Sequence, residues 1–279
     1  MKCPVIRPLC VFALVIAVVL GGSCKKAPQR GLDDIKASGQ LLMLTNAPFP
    51  PYEFYAADGD LIGVDIDIAR RIARHLGVEL TVSIRPFDEL LPALAAGEAD
   101  MVLAGLTIND ERLKQASFSL PYIDAMQYLI IPSTENIKVL EDLGGKTVGA
   151  QAGSTGEEII AKAIADGPLR KTGCQLLALA DPAEAVAKVL NGELDAVVVD
   201  DTVALQLTAG HAALSATPLF SQSGAMLSEQ YGVAVAPSNP ELLSAVNEVI
   251  TELKNSGELS AKIKKYEAMA REQTGANAN

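Results

Sequence analysis

Tryptophan is absent from the 279-residue sequence and aromatic residues make up only 4% of it, so a phenylalanine beside a loop is more informative than usual. Histidine occurs twice, His75 in a helical stretch and His211 in a loop. With no Cys or His cluster at ligand spacing, neither a metal nor a cofactor is expected. Cysteine occurs four times, and two of these, Cys3 and Cys10, fall in a segment read below as a removable leader. The remaining Cys24 and Cys174 imply no disulfide framework. Positive charge is also scarce, with 23 Lys and Arg against 34 Asp and Glu and a net charge of −11. That balance argues against a nucleic-acid partner, whose phosphates need clustered cations. Long hydrophobic runs are missing too: the apolar stretch Leu9 to Leu20 falls short of the roughly 20 residues that span a bilayer, and no later stretch reaches that length.

What is present begins with an export signal. Lys2 and Arg7 give a positive start, the apolar run follows, and the small residues Gly21, Gly22 and Ser23 precede Cys24. Residues 1–23 are therefore expected to be cleaved, which removes two cations and takes the charge to −13. The stretch LGGSC (20–24) resembles a lipobox, although Gly21 stands where that pattern has leucine. The resemblance implies lipid on Cys24, a tether over 24–38 and a periplasmic or extracytoplasmic protein held to a membrane. Hydrophobic residues, at 49%, suffice for a sizeable core in one large domain or two modest ones.

The pattern then alternates short β-rich runs with helical stretches, the signature of an α/β protein with a mostly parallel sheet. Strands are expected over 41–44, 80–84, 101–103, 127–131, 147–150, 196–199 and 231–236. Asp65 reads as the cap of a helix carrying Ile66, Ala69, Ile72, Ala73 and Leu76 on one face and ended by Gly77. Further helices are expected over 89–96, 157–164 and 182–190, with two more from Pro240 divided near Gly257. A polar tail from Glu272 (272–279) reads as disordered. One internal echo stands out: GEADMV (97–102) and GELDAV (192–197) each follow a helix and lead into a strand. Both strands run into loops rich in ligand-type groups, Gly105 and Thr107 in one case and Asp200 in the other. Ligands of open α/β sheets bind at the carboxyl ends of strands, so two lobes face to face would share one cleft.

In the stretch LAGLTINDERLKQASFSLPY (103–122) a buried-looking strand runs out to Arg112, whose planar fork suits a carboxylate. Taken alone, Arg112 also reads as a surface residue paired with Asp110 or Glu111. The context is wider. NAPFPPYEF (46–54), IGVDIDIARRIA (62–73), FDELLPALAAGEADMV (87–102), GLTINDER (105–112), FSLPY (118–122), GAQAGSTGEE (149–158) and GELDAVVVDD (192–201) occur in one order. With these motifs the chain, from about Gly39 to Tyr266, resembles the family 3 solute-binding proteins of polar amino-acid ABC transporters.

The resemblance implies a two-lobed periplasmic-binding-protein fold of type II, with two α/β lobes joined by two crossover segments near 122–127 and 227–230. Lobe 1 would comprise 39–124 and 230–271, and lobe 2 would comprise 125–229. It implies a monomer that binds a free L-amino acid and presents it to a permease. Arg112 would hold the ligand α-carboxylate, helped by the Thr107 hydroxyl and by backbone N–H groups at Thr107 and Thr155, with Ser154 a further ligand-binding position beside them. Asp200 would meet the ammonium, with the Gly105 carbonyl and Thr107 oxygen as further acceptors. A zwitterion stripped of water needs both charges met, because an unpaired buried charge costs about 3–5 kcal/mol. Phe49 and Phe87 match the walls around the ligand side chain, whereas Tyr52 and Phe54 belong to the core or the cleft rim.

Asn46 stands where the glutamine, histidine and lysine/arginine/ornithine binders carry an acid, which weakens the case for a cationic ligand. Asn46 and Gln151 can instead bond an amide or hydroxyl, while Glu53 and Glu157 remain as nearby charge. GAQAGSTGEE lacks the lysine of a phosphate loop, so carboxylate capture by its N–H groups is the reading taken. An enzyme on the same fold, a cyclohexadienyl (arogenate or prephenate) dehydratase, is the alternative. A ligand-sensing domain or the binding half of a lytic transglycosylase is a third.

Overall fold

The computed structural model describes residues 29–221 and 223–277. The export signal and Cys24 lie outside them. The segment that follows is not a free tether. The Gln29 side chain donates to the Leu94 carbonyl at 2.7 Å, Arg30 pairs with Asp100 at 3.0 Å, and helix α1 (Leu32–Ser38) buries Ile35 completely. The tether expected over 24–38 is corrected from Gln29 onward, because Ile35 gives that segment an apolar anchor.

Strand β1 (Gln40–Thr45) follows, then a short hairpin of β2 (Phe54–Tyr55) and β3 (Leu61–Ile62). Helix α2 (Val64–Leu76) buries the helical-spaced set Ile66, Ala69, Ile72, Ala73 and Leu76, and Gly77 ends it in the left-handed region at φ 72°. Asp65 is not its cap. It lies inside the first turn after Gly63, and its carboxylate turns inward to accept from Gly105 N–H and the Tyr122 hydroxyl. Strand β4 (Glu79–Ile84), helix α3 (Leu90–Ala96), strand β5 (Met101–Val102), the single turn α4 (Asp110–Leu113) and strand β6 (Ser117–Phe118) complete this stretch.

The long strand β7 (Ile123–Pro132) carries the chain into a second sheet with β8 (Thr147–Gln151), α5 (Thr155–Ala165), β9 (Gln175–Leu179), α6 (Pro182–Leu190), β10 (Ala196–Asp200), α7 (Asp201–Thr208) and β11 (Leu214–Pro218). Strand β12 (Ser228–Tyr231) brings it back to β13 (Ala234–Val235), α8 (Pro240–Asn255) and α9 (Glu258–Asn277). One sheet has the order β4-β1-β5-β13-β6, with its first three strands parallel; the other has the order β11-β7-β10-β8-β9. The first half of β7 pairs antiparallel with β12, and its second half pairs with β10 and β11. Two lobes are thus joined by a two-stranded ribbon, and the single strand expected over 231–236 is divided where the chain changes sheets.

The internal echo has a physical cause. Asp100 and Asp195 each accept a 2.7 Å bond from a backbone N–H of a neighbouring parallel strand, Leu42 within β1 and Thr147 at the start of β8. Gly97 and Gly192, at φ 82° and 74°, supply the turns before them. Helix α9 runs to Asn277, past the Glu272 where an unstructured tail was expected. Its Tyr266 and Ala270 are buried, and the helix touches α2 and α8 on one lobe and α7 on the other.

Candidate functional site

The carboxyl ends of β5, β8 and β10 converge between the lobes, where connecting loops are free to carry chemistry. The loop after β5 turns at Gly105, at φ 55°, where a Cβ would stand 2.8 Å from Phe49 Cε1; only glycine lets this backbone approach the ring. Asn109 then caps α4, its Oδ1 accepting from Arg112 N–H at 2.9 Å, which turns the Arg112 side chain inward to 7% exposure. Arg112 Nη1 donates to Thr107 O at 2.9 Å and Nη2 to Gly153 O at 3.0 Å, so the guanidinium bridges the two lobes. It also lies 5.4 Å over the Phe87 ring. Burial lowers its pKa, and the carboxylates of Glu229 and Asp200 work in the opposite direction.

Asp200 ends β10 and precedes α7 without bonding to that helix through its side chain. Its two oxygens accept instead from Gln127 Nε2 and the Tyr231 hydroxyl. Burial, reinforced by Glu229, pushes the Asp200 carboxyl up to about 8. An ammonium arriving beside it would favour the charged form and release the proton.

One cavity gathers Phe49, Phe87, Gly105, Thr107, Arg112, Gln151, Ser154, Thr155 and Asp200, with Gln127, Gly156, Val198 and Val199 completing its lining. Nine of the ten residues expected to touch a ligand therefore meet in one place. Asn46 stands at the rim: it donates to Arg85 O at 2.8 Å and accepts from Gln151 Nε2 at 2.8 Å. Gln151 Nε2 also donates to Ala180 O at 3.2 Å, which leaves Gln151 Oε1, an acceptor, for the cavity. Ser154 caps α5 by accepting from Glu157 N–H, and Thr155 is the first residue of that helix, where N–H groups lack intrahelical partners.

The enclosed space is about 20 Å³, little more than a water molecule occupies. A free amino acid reaches these groups only when the lobes part.

Neither of the two additional acids lines the cavity. Glu157 accepts from Gly153 N–H at 2.6 Å, and Glu53 lies fully buried beside Asp65. Burial and then the Asp65 charge push Glu53 well above the usual carboxylate range, and burial raises Asp65 to about 6. Tyr52 is core: it stacks on Phe49 at 5.7 Å and meets Tyr231 edge-on at 5.2 Å. Phe54 is buried against Tyr266.

Sequence reasoning missed Gln127, Tyr231 and Glu229. Gln127 had a signal, as a polar residue opening the apolar run of a buried strand and so requiring a partner. Tyr231 and Glu229 sit on the returning crossover and reveal themselves only through folding. Among the described residues no group of His, Cys, Asp and Glu suits a metal ion, and no helix is long and apolar enough to cross a membrane.

The sequence model of the bacterial extracellular solute-binding proteins, family 3, matches residues 41–269. The L-cystine-binding protein TcyJ of Escherichia coli K12 is 32% identical over 257 residues, covering 91% of this chain and 92% of its own. Among solved structures, the Streptococcus pneumoniae amino acid ABC transporter substrate-binding protein AbpA, bound to L-arginine, superposes with a TM-score of 0.77 and 32% identity. The match covers 85% of this chain and 98% of that one. Holo ArgBP from T. maritima superposes with a TM-score of 0.71 and 38% identity over 80% of this chain and 93% of its own.

Proposed function

The chain belongs to the family 3 bacterial extracellular solute-binding proteins, and from that membership we propose that it closes two lobes over one free L-amino acid and delivers it to the permease of an ABC importer. The observation that carries this reading is the pairing of Arg112 and Asp200, one cation and one carboxyl buried on opposite lobes around a shared cavity. A ligand favours a closed form only through contacts with both lobes at once. An α-amino acid offers one charge to each.

In the proposal Arg112 and the N–H groups at the start of α5 take the α-carboxylate, while Asp200, Gly105 O and Thr107 Oγ1 take the ammonium. Phe49 and Phe87 flank the side chain. Gln151 lines the cavity with its amide nitrogen already given to Asn46 and Ala180, so what it has left to offer is an acceptor, which favours a polar side chain that donates hydrogen bonds, as in glutamine, histidine or a basic residue. Relatives named for arginine and for cystine put those two amino acids first in any screen.

Thermal-shift screening of residues 25–279 against the L-amino acids tests the proposal, since a ligand at 100 times its Kd adds about 2.7 kcal/mol of stability. A shift with a polar amino acid, confirmed by calorimetry at one site per chain, is expected. The absence of a shift with all of them, cystine included, overturns it. The lipid anchor at Cys24 is tested separately: radiolabelled palmitate should enter the full-length chain in bacteria and not its Cys24→Ala variant.

A further inference from the structure

A carboxylate beside the cleft is assigned to neither charge of the ligand. Glu229 lies on β12, opposite Ala125 of β7. It accepts the Thr107 hydroxyl at 2.7 Å and the Thr155 hydroxyl at 2.9 Å, both on Oε2. The two threonines come from different lobes. Thr107 is fastened to Glu229's own strand, because it bridges Tyr231 and the next N–H, Ile108, donates to Gln230 O at 2.8 Å. Thr155 opens helix α5 on the other lobe, where the helix dipole favours a carboxylate. Glu229 thus sits on the ribbon that joins the lobes and is tied to the first lobe through Thr107, so the bond to Thr155 is the one that parting of the lobes would strain.

Each hydroxyl has one proton to give. With that proton on Glu229, Thr107 Oγ1 presents only lone pairs to the cavity and is an acceptor toward anything bound there. It suits an ammonium and not a carboxylate. Glu229 also supplies the strongest attraction on the Arg112 guanidinium, ahead of Asp200. It stands partly in water, because with Thr107, Thr155 and Lys162 it lines a solvent-open groove of about 710 Å³.

We propose that Glu229 is a positioning residue and a closure latch: it fixes the Thr107 hydroxyl as an acceptor for the ligand ammonium and holds the closed form through Thr155. The ammonium half rests on the amino-acid reading above; the latch half does not. A bond made only after closure slows opening without altering encounter, so it acts on the dissociation rate.

The test uses the mature chain with a dye on an exposed position of each lobe, followed by single-molecule energy transfer and stopped-flow mixing. Glu229→Ala should raise the ligand dissociation rate about tenfold, as expected for one charge-assisted hydrogen bond partly exposed to water, with association changed less than about twofold. The fraction of closed molecules without ligand should fall. Glu229→Gln, whose amide oxygen still accepts, should recover part of both effects. Thr155→Val removes the same interlobe bond without touching the charge, and should speed opening in the same way, including where the alanine variant folds poorly. The double variant should then add little to either single one.

Unchanged dissociation and closed fraction in both Glu229→Ala and Thr155→Val would overturn the latch. A Glu229→Gln variant no better than the alanine would overturn the hydroxyl-holding role. If no amino acid closes the wild-type chain, the functional reading fails, while the closed fraction without ligand still decides the latch.

Discussion

Binding should release a proton from Asp200 and weaken as pH falls. The carboxyl lies between Gln127 and Tyr231 with no cation in direct contact among the described residues, and burial raises it to about 8. In this closed arrangement the carboxyl therefore holds its proton to a much higher pH than an ordinary aspartate does. Pairing with an ammonium requires the carboxylate, so ligand uptake near neutral pH should expel a proton from it, up to about one per site. Below pH 8 each unit of acidification should weaken apparent affinity about tenfold, or 1.4 kcal/mol; above it, affinity should level off until the ligand ammonium itself titrates. Calorimetry at one pH in buffers of different ionisation enthalpy measures the released proton directly, and a series of titrations from about pH 5.5 to 8.5 measures the slope. Asp200→Asn should abolish the release along with most of the affinity. The same variant should melt at a higher temperature than wild type near pH 8, since it removes a carboxyl that burial disfavours in its charged form. Flat affinity across this range with no buffer dependence would refute the reasoning.

Other perturbations follow from the same geometry. Arg112→Ala removes the carboxylate partner and should weaken binding by at least about 100-fold, measured by calorimetry; unchanged affinity would remove Arg112 from the site. Gly153 sits at φ 74° with its would-be Cβ 2.9 Å from Asp88 Cα on the facing lobe, so Gly153→Ala should act as a wedge. Its closed fraction, read by small-angle scattering with saturating ligand, should fall, and full closure would contradict the steric argument. Glu53→Gln should gain stability relative to wild type as pH rises: a carboxyl raised by burial favours the folded state less once the unfolded chain ionises, above about pH 4.5. Melting temperatures at pH 5 and 8 check this, and a difference independent of pH would refute it.

Much of the architecture was legible because local rules decide it. The apolar spacing in α2 and its glycine stop are readable from the residues, as is the GEAD and GELD echo, whose aspartates each tie down a parallel strand. Asp65 was misplaced because an acid at a helix start looks the same in sequence whether it caps the helix or turns inward; Gly105 and Tyr122, its actual partners, are 40 and 57 positions away. The bond between Asn46 and Gln151, 105 positions apart, follows only from the lobes meeting. Glu229 lies where the pattern shows nothing but a polar break between strands. The tail from Glu272 is compositionally polar, yet Tyr266 and Ala270 just before it anchor the helix that continues into it as far as Asn277.

In the proposed function one buried cation and one buried carboxyl, on opposite lobes, recognise the two charges of an α-amino acid. Calorimetry on the mature chain with its best-binding amino acid, that compound's carboxamide and its N-acetyl derivative measures each charge in turn. One tight site for the amino acid and a loss of about 100-fold or more for each derivative are expected. Equal binding of all three would contradict the proposed function.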